Sequence, residues 1–334
     1  MIKFTIIGCG LIGQKRAKAI ATLRADALLI ACVDTNFDCA QQLASQFSNC
    51  IAFDNYNIML EKTNPDAIII ATTHDALSEI GEKMIAAGKH VFLEKPAGRN
   101  CGDIKKLIKI AHHKNNIIHV GFNHRYHPAI QEAKKIIDKN VIGDLMIIRA
   151  RYGHGGRLGY EKEWRANPVL SGGGELIDQG VHLIDLSRWF MGEFSDVDGF
   201  AHTHYWNMPV EDNAFLALKT VKKQVAFLHA SCTEWKNLFS FEIFGKMGKL
   251  HINGLGGSYG PETLTHYKML PEMGPPEIFH YEYPSPDQSW ALEIQSFIDA
   301  INNHQTSSSH LENALAALSI VEKIYHQSGI SYDK

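Results

Sequence analysis

The chain begins with an apolar run that ends in glycines, 2-IKFTIIGCGLIG-13, and passes at once into helical spacing, 11-LIGQKRAKAIATL-23. Few local patterns restrict a fold so tightly. Gly8, Gly10 and Gly13 stand at GxGxxG spacing between a strand pattern and a helix pattern, the context that gives the spacing its meaning. In such a turn the first glycine permits the bend and the second lets the backbone approach a diphosphate. The third lets helix and strand pack closely. The helix start then meets the anion with unpaired N–H groups and the positive end of its dipole. The expectation is a dinucleotide held by Gly8, Gly10, Leu11, Ile12 and Gly13.

The next hundred residues agree in pattern. Apolar strand-like runs at 28-LLIACVD-34, 67-AIIIATT-73, 90-HVFLEK-95 and 117-IIHVGFN-123 alternate with helical patterns at 75–88 and 103–115. Near-continuous Val/Ile/Leu strands fit a parallel sheet buried on both faces, and strand–helix alternation reads as a doubly wound α/β domain of the Rossmann type. Asp34 ends the second strand about 20 residues beyond Gly13, where an acid accepts hydrogen bonds from ribose hydroxyls. The next residues are Thr35, Asn36 and Phe37, with no arginine to hold a 2′-phosphate. NAD is therefore expected over NADP. Strand ends and the turns after them add Thr72, His74, Glu94 and Lys95 to the expected cofactor set.

After residue 125 the pattern changes. One helical run, about 173–192, precedes strand-like segments at 196–206, 213–220, 224–235, 239–245 and 248–254, then helices at 289–303 and 310–328; 271-PEMGPPEIF-279 reads as a loop. Consecutive strands with short turns suggest an antiparallel sheet. The expected division is 1–123 for the nucleotide domain and 124–334 for an α+β substrate and oligomerisation domain, with the last helix free to pack back on the first.

Composition narrows the function classes. The 334 residues carry 33 basic and 36 acidic side chains, a formal charge of −3, which gives no basic excess for nucleic acid. None of the six cysteines stands in a CxxC pair, so reduced thiols in a cytoplasmic protein are expected. Neither a signal-peptide pattern nor an apolar run of membrane-spanning length is present.

The chemistry-bearing residues lie at 93-LEKPAG-98 and 172-GGGELIDQGVHLID-185. Lys95 sits at the carboxyl end of a strand, where such sheets bind ligands. Asp178, His182 and Asp185 succeed one another at spacings of four and three, which on an α-helix place them near one face. A histidine, with an ordinary pKa near 6.5, can take and return a hydroxyl proton. The three glycines just before it leave room for a substrate.

Taken together and in order, GCGLIG, EKP, 121-GFNHRYHP-128 and GGGELIDQGVHLID resemble the Gfo/Idh/MocA oxidoreductase family over nearly the whole chain. The resemblance implies a Rossmann domain joined to a domain with a large, mostly antiparallel sheet. It further implies hydride transfer between a nicotinamide and a hydroxyl-bearing carbon of a sugar or cyclitol. Lys95, Asp178 and His182 are the implied catalytic residues, Asp185 keeps a structural part, and Asn123, Arg125 and Pro128 match the pattern after the last Rossmann strand, where the chain passes near the cofactor (Asn123) and the substrate (Arg125). Trp164 and Arg165 match a pair near the substrate.

Residues 152–168 read as a loop rich in glycine, aromatic and basic residues, from which His154, Arg157, Trp164 and Arg165 are substrate candidates. Two arginines there suit an anionic or nucleotide-linked sugar. Alternatives are a nucleotide-sugar dehydrogenase or ketoreductase, an enzyme that recycles a tightly held cofactor, and a regulator that kept the fold without catalysis. The pairs His202/His204 and His124/His127 lack partners at structural-zinc spacing, so no metal is expected. The strands beyond 196 suit a homodimer or homotetramer interface.

Overall fold

A computed structural model describes residues 1–112, 115–284, 286–305 and 309–332. The chain divides into two compact units, residues 1–122 with 290–316, and residues 123–289 with 317–334. Residues 290–316, within the stretch 124–334, group with residues 1–122.

The first unit alternates β1 (Ile2–Ile7), α1 (Leu11–Thr22), β2 (Ala27–Val33), α2 (Phe37–Ala44), β3 (Ile51–Phe53), α3 (Tyr56–Lys62), β4 (Ala67–Ile70), α4 (His74–Ala86), β5 (His90–Glu94), α5 (Cys101–Ala111) and β6 (Ile118–Gly121). The expected helix over 103–115 runs into residues 113 and 114, outside the described set. All six strands are parallel, in the order β3-β2-β1-β4-β5-β6. This is a doubly wound order, with a reversal of direction next to β1. The burial expected of the apolar runs holds: every residue of β4 and all but the first of β5 are buried.

Arg16 of α1 is fully buried among these strands. It bonds Glu94 at 2.5 Å and Glu293 at 2.7 Å, and its guanidinium carbon lies 4.3 Å from the ring centroid of Phe92. One guanidinium thus faces two carboxylates away from water. Burial pushes the Glu94 carboxyl up, against the pull of Arg16.

The second unit runs α6 (Pro128–Asp138), β7 (Leu145–Gly153), α7 (Pro168–Ser171), a π-helical turn (Leu176–Gly180) and α8 (Val181–Met191). Seven strands come next: β8 (Asp196–His202), β9 (Asn213–Lys219), β10 (Val225–Ser231), β11 (Leu238–Gly245), β12 (Gly248–Asn253), β13 (Glu262–Lys268) and β14 (Glu277–Tyr283). Helices α9 (Ser289–Asn302) and α10 (Ser309–Gln327) close the chain. The eight strands form one sheet, β14-β13-β12-β11-β7-β10-β9-β8, antiparallel except for β7 against β10. Helices α6 and α8 cover one face.

Strand β7, with which β10 and β11 both pair, is absent from the expected elements. Its first four residues, Leu145 to Ile148, are apolar, but the outward Arg149 and Arg151 cut that run short. Residues 277–279, expected in a loop, begin β14 instead; this is an edge strand with almost every residue exposed. The six cysteines are free thiols, four of them buried. Among the described residues no helix is long and apolar enough to cross a membrane.

Candidate functional site

In the first unit the glycine turn is built as its spacing suggests. Gly8 takes φ +94°, and a Cβ there would stand 2.5 Å from the carbonyl oxygen of Ala71. A Cβ on Gly13 would stand 2.0 Å from the oxygen of Gly8, so strand and helix touch through these two residues. Gly10 differs: an added Cβ would meet nothing within 4 Å. The turn is therefore closed on its inner side and open in front of Gly10. There α1 starts at Leu11 without a side-chain cap and without an acid in its first turn. Uncapped N–H groups before open space fit a diphosphate.

Asp34 is fixed at the end of β2. One carboxylate oxygen accepts from the backbone N–H of Cys9 at 2.8 Å and the other from that of Asn36 at 2.9 Å. Part-exposed, it lies one bond from the glycine turn with lone pairs left for hydroxyls. The acid also places a negative charge where a 2′-phosphate would come. These residues fit a nicotinamide dinucleotide.

Thr72 lies against Gly8, 2.9 Å from its added Cβ to the Thr72 nitrogen, and His74 opens α4. Lys95 succeeds β5 directly and is half-buried in a turn closed by the bond from Ala97 N–H to the Glu94 carbonyl at 2.9 Å. Glu94, expected at the cofactor, turns its side chain to Arg16 instead. Asn123 is likewise committed. Its Nδ2 donates to Ser289 Oγ at 3.1 Å, and its Oδ1 lies 3.2 Å from His124 Nδ1.

In the second unit the stripe read from 178–185 is not one α-helix. Asp178 sits in the π-helical turn and His182 in the first turn of α8. π turns inside helices recur at functional sites. Both side chains are buried. Asp178 accepts from Arg165 Nε at 2.9 Å, and the charge of Asp178, with smaller contributions from neighbours, holds the Arg165 guanidinium above its ordinary pKa despite burial. The guanidinium lies 4.7 Å from the Trp164 ring centroid. His182 stacks on His124 with centroids 3.7 Å apart and planes 20° from parallel, and Tyr152 stands edge-on at 6.2 Å.

Beside this pair is a group without any signal in the local sequence. Glu175, buried, accepts from His154 Nε2 at 3.0 Å and from the Tyr160 hydroxyl at 3.1 Å. Burial alone would lower the His154 pKa, but Glu175 and Asp178 raise it above the ordinary value. Burial, followed by the neighbouring charges, pushes the Tyr152 hydroxyl well above the usual range and that of Tyr259 up to about 12. The unit thus offers a dense set of proton donors and acceptors around Asp178.

Two substrate candidates are drawn elsewhere. Arg125 grips Asp185 through two bonds, at 2.7 and 2.5 Å, a planar fork on a buried carboxylate. That explains the third member of the stripe as structural. Arg157 is exposed and pairs with Glu163 at 2.7 Å.

Two of the three glycines also have another purpose than room for substrate. A Cβ on Gly173 would stand 2.0 Å from the Tyr325 hydroxyl, and one on Gly174 2.0 Å from the Glu211 carbonyl. Glu211 accepts from Gly174 N–H and Leu176 N–H, both at 2.9 Å, from Tyr325 at 2.8 Å and from Tyr332 at 3.0 Å. This buried carboxylate positions the turn that carries Asp178.

Comparison with known proteins adds a family. Residues 2–122 match an oxidoreductase family with an NAD-binding Rossmann fold, and residues 130–251 match a GFO/IDH/MocA C-terminal domain. Levoglucosan dehydrogenase of Pseudarthrobacter phenanthrenivorans is 29% identical over 226 residues, 65% of this chain and 58% of that protein. In that match the chain spans little more than half of the relative's length. Inositol 2-dehydrogenase of Rhizobium meliloti is 23% identical over 333 residues, 96% of this chain and 95% of that one. Among solved structures, levoglucosan dehydrogenase in complex with NADH and L-sorbose aligns with a TM-score of 0.85 at 22% identity, over 98% of each chain. That likeness shows a shared fold.

Proposed function

The chain belongs to the Gfo/Idh/MocA oxidoreductase family, and on that footing we propose that it transfers a hydride between a nicotinamide dinucleotide and a hydroxyl-bearing carbon of a sugar or cyclitol. The observation that carries the reading is the open cradle at Gly10 with Asp34 fixed beside it. The buried Asp178, His182 and Glu175 supply the polar groups that a sugar needs.

A nicotinamide dinucleotide held by the turn at Gly10 and by Asp34 would supply the hydride acceptor for oxidation and the donor for reduction. This chain's residues do the rest. Lys95 donates a hydrogen bond to the reacting oxygen and steadies its developing charge. His182, whose Nδ1 is buried, takes the hydroxyl proton at Nε2. The carbon gives up its hydrogen with the electron pair, the oxygen gives up its proton to His182, and a carbonyl remains. Asp178 and Arg165 form a fixed charge pair that holds further hydroxyls.

NAD is the proposed partner of Asp34. The ratio of kcat/KM for NAD over NADP is expected to exceed ten and to narrow in Asp34→Ala, because the 2′-phosphate no longer meets a carboxylate. A wild-type preference for NADP above tenfold refutes this assignment.

We also read the chain as a cytoplasmic homo-oligomer. The outward face of the eight-stranded sheet carries Phe200, 49% exposed, and Phe227, 54% exposed, beside Arg149 and Glu242, which pair at 2.5 Å. Apolar rings next to charges of both signs suit a second copy of the same face. Phe227→Glu is expected to lower the mass seen in sedimentation equilibrium. An unchanged mass excludes this face.

A further inference from the structure

A line of aromatic rings in the second unit leads away from Glu175. Tyr160, whose hydroxyl donates to Glu175, has its centroid 5.5 Å from that of Trp206. Trp206 lies 5.2 Å from Tyr205 at 89°, and Tyr205 lies 4.6 Å from Trp235 at 84°. Tyr160 is buried and Trp206 half-buried, whereas Tyr205 is 61% and Trp235 64% exposed. Single exposed aromatics are ordinary, but two in edge-to-face contact at the end of such a line form a surface.

The pair is held firmly. The indole N–H of Trp206 donates to the Cys232 carbonyl at 2.9 Å. The backbone N–H groups of Tyr205 and Trp206 donate to one oxygen of Asp212 at 2.7 and 3.0 Å. Gly156 lies so close on Trp206 that a Cβ would stand 2.3 Å from its ring. Trp235 has φ +56°, a left-handed conformation that a bulky residue rarely adopts. Such residues persist where the surroundings fix them, and they concentrate at ligand clamps. The platform is also tied to the site: Glu234 N–H donates to the His154 carbonyl at 3.0 Å, and the His154 ring bonds Glu175.

We infer that Tyr205 and Trp235 form a platform for the second ring of a glycoside or disaccharide, whose first ring is oxidised beside Asp178 and His182. The inference deepens the sugar-alcohol reading and rests on it. A pyranose presents a face of C–H bonds with slight positive charge, which suits the negative face of an aromatic ring. Its edge hydroxyls need polar partners, and His204, Glu234, Lys236 and Asn237 flank the two rings in the chain with their side chains part-exposed or exposed. A protein partner is the other occupant that exposed aromatics with a polar rim can take, and the sedimentation arm of the test separates it from a sugar. Three ring-to-ring steps, none above 5.5 Å, join the platform to Glu175.

The test uses maltose, cellobiose and lactose beside glucose and galactose. The variants are Trp235→Gly, which suits the positive φ, and Tyr205→Ala. With the wild-type chain, saturation-transfer NMR should mark the protons of both rings of the best disaccharide. Each variant should lose the signal of the second ring. In turnover, kcat/KM for that disaccharide should fall at least tenfold, with its free hexose changed less than twofold. If no sugar is oxidised, the NMR still decides the platform separately from the proposed reaction. Absence of disaccharide binding overturns the inference. So does equal loss on disaccharide and hexose, or a variant that alters only the sedimentation coefficient, which would assign the rings to contact between copies.

Discussion

Lys95→Ala is expected to lower kcat by about 10²–10⁴, the range of a positioned proton-transfer or charge-stabilising group, while the Kd of the dinucleotide changes little. Lys95 stands at the end of β5, whereas the residues that fit the diphosphate stand at Gly10 and the start of α1, so chemistry and cofactor affinity separate. His182→Ala is expected to lose rate on the same scale and also to alter the pH profile. In the wild-type chain log(kcat/KM) for alcohol oxidation should rise with pH as the imidazole becomes neutral, then level off. His182→Ala should flatten that limb, and Asp178→Asn should keep it with a smaller loss. Fluorescence titration with the dinucleotide and circular dichroism control for binding and folding. Near-normal turnover in a folded Lys95→Ala chain returns Lys95 to an ordinary solvated cation. A His182→Ala chain that keeps the limb moves the base elsewhere, with Lys95 the first alternative.

Arg16→Met is expected to destabilise the first unit by about 3–5 kcal/mol, the range seen when one partner of a buried ion pair is removed. The reason is electrostatic rather than steric. Methionine fills much of the volume, but Glu94 and Glu293 are left together without the cation between them. The companion variant Arg16→Met with Glu94→Gln and Glu293→Gln should recover part of the loss, because no buried charge then lacks a counter-charge. Denaturant unfolding followed by a probe in the first unit measures both. Equal stability of the single variant and the parent chain would show that the cluster contributes nothing net.

How far residues alone reveal such a molecule depends on how local the cause is. The glycine turn, Asp34 and the parallel strands are legible because each rests on neighbours in sequence: a bend, a helix start, an apolar run. The presence of Asp178 and His182 is legible too. Their surroundings are not. The partner of Asp178 is Arg165 in a loop without periodicity, and a spacing of four does not reveal that the backbone makes a π turn. Arg125 resembles a substrate ligand because nothing near it in sequence shows that Asp185, 60 residues on, takes its fork. The meaning of two of the three glycines lies further off still, in Glu211 and in Tyr325, 114 residues beyond Glu211. Strand β7 is hidden because its apolar opening, Leu145 to Ile148, is only four residues long before the outward Arg149 and Arg151 interrupt it.

The carboxylate of Glu211 has a consequence for how such a chain can be re-engineered. It grips the turn before Asp178 by backbone N–H groups, so the grip does not depend on the side chain of Leu176, whereas position 174 must stay glycine because a Cβ there would stand 2.0 Å from the Glu211 carbonyl. The loop over 154–165 is tied differently, by side-chain pairs such as Arg157 with Glu163, Arg165 with Asp178 and Tyr160 with Glu175. Side-chain ties can be rewritten one codon at a time; the backbone tie is lost with Glu211 itself or with a side chain at Gly174. A mutational library for new sugar preference therefore has a natural design: randomise the loop, and leave Gly173, Gly174, Glu211 and Tyr325 untouched.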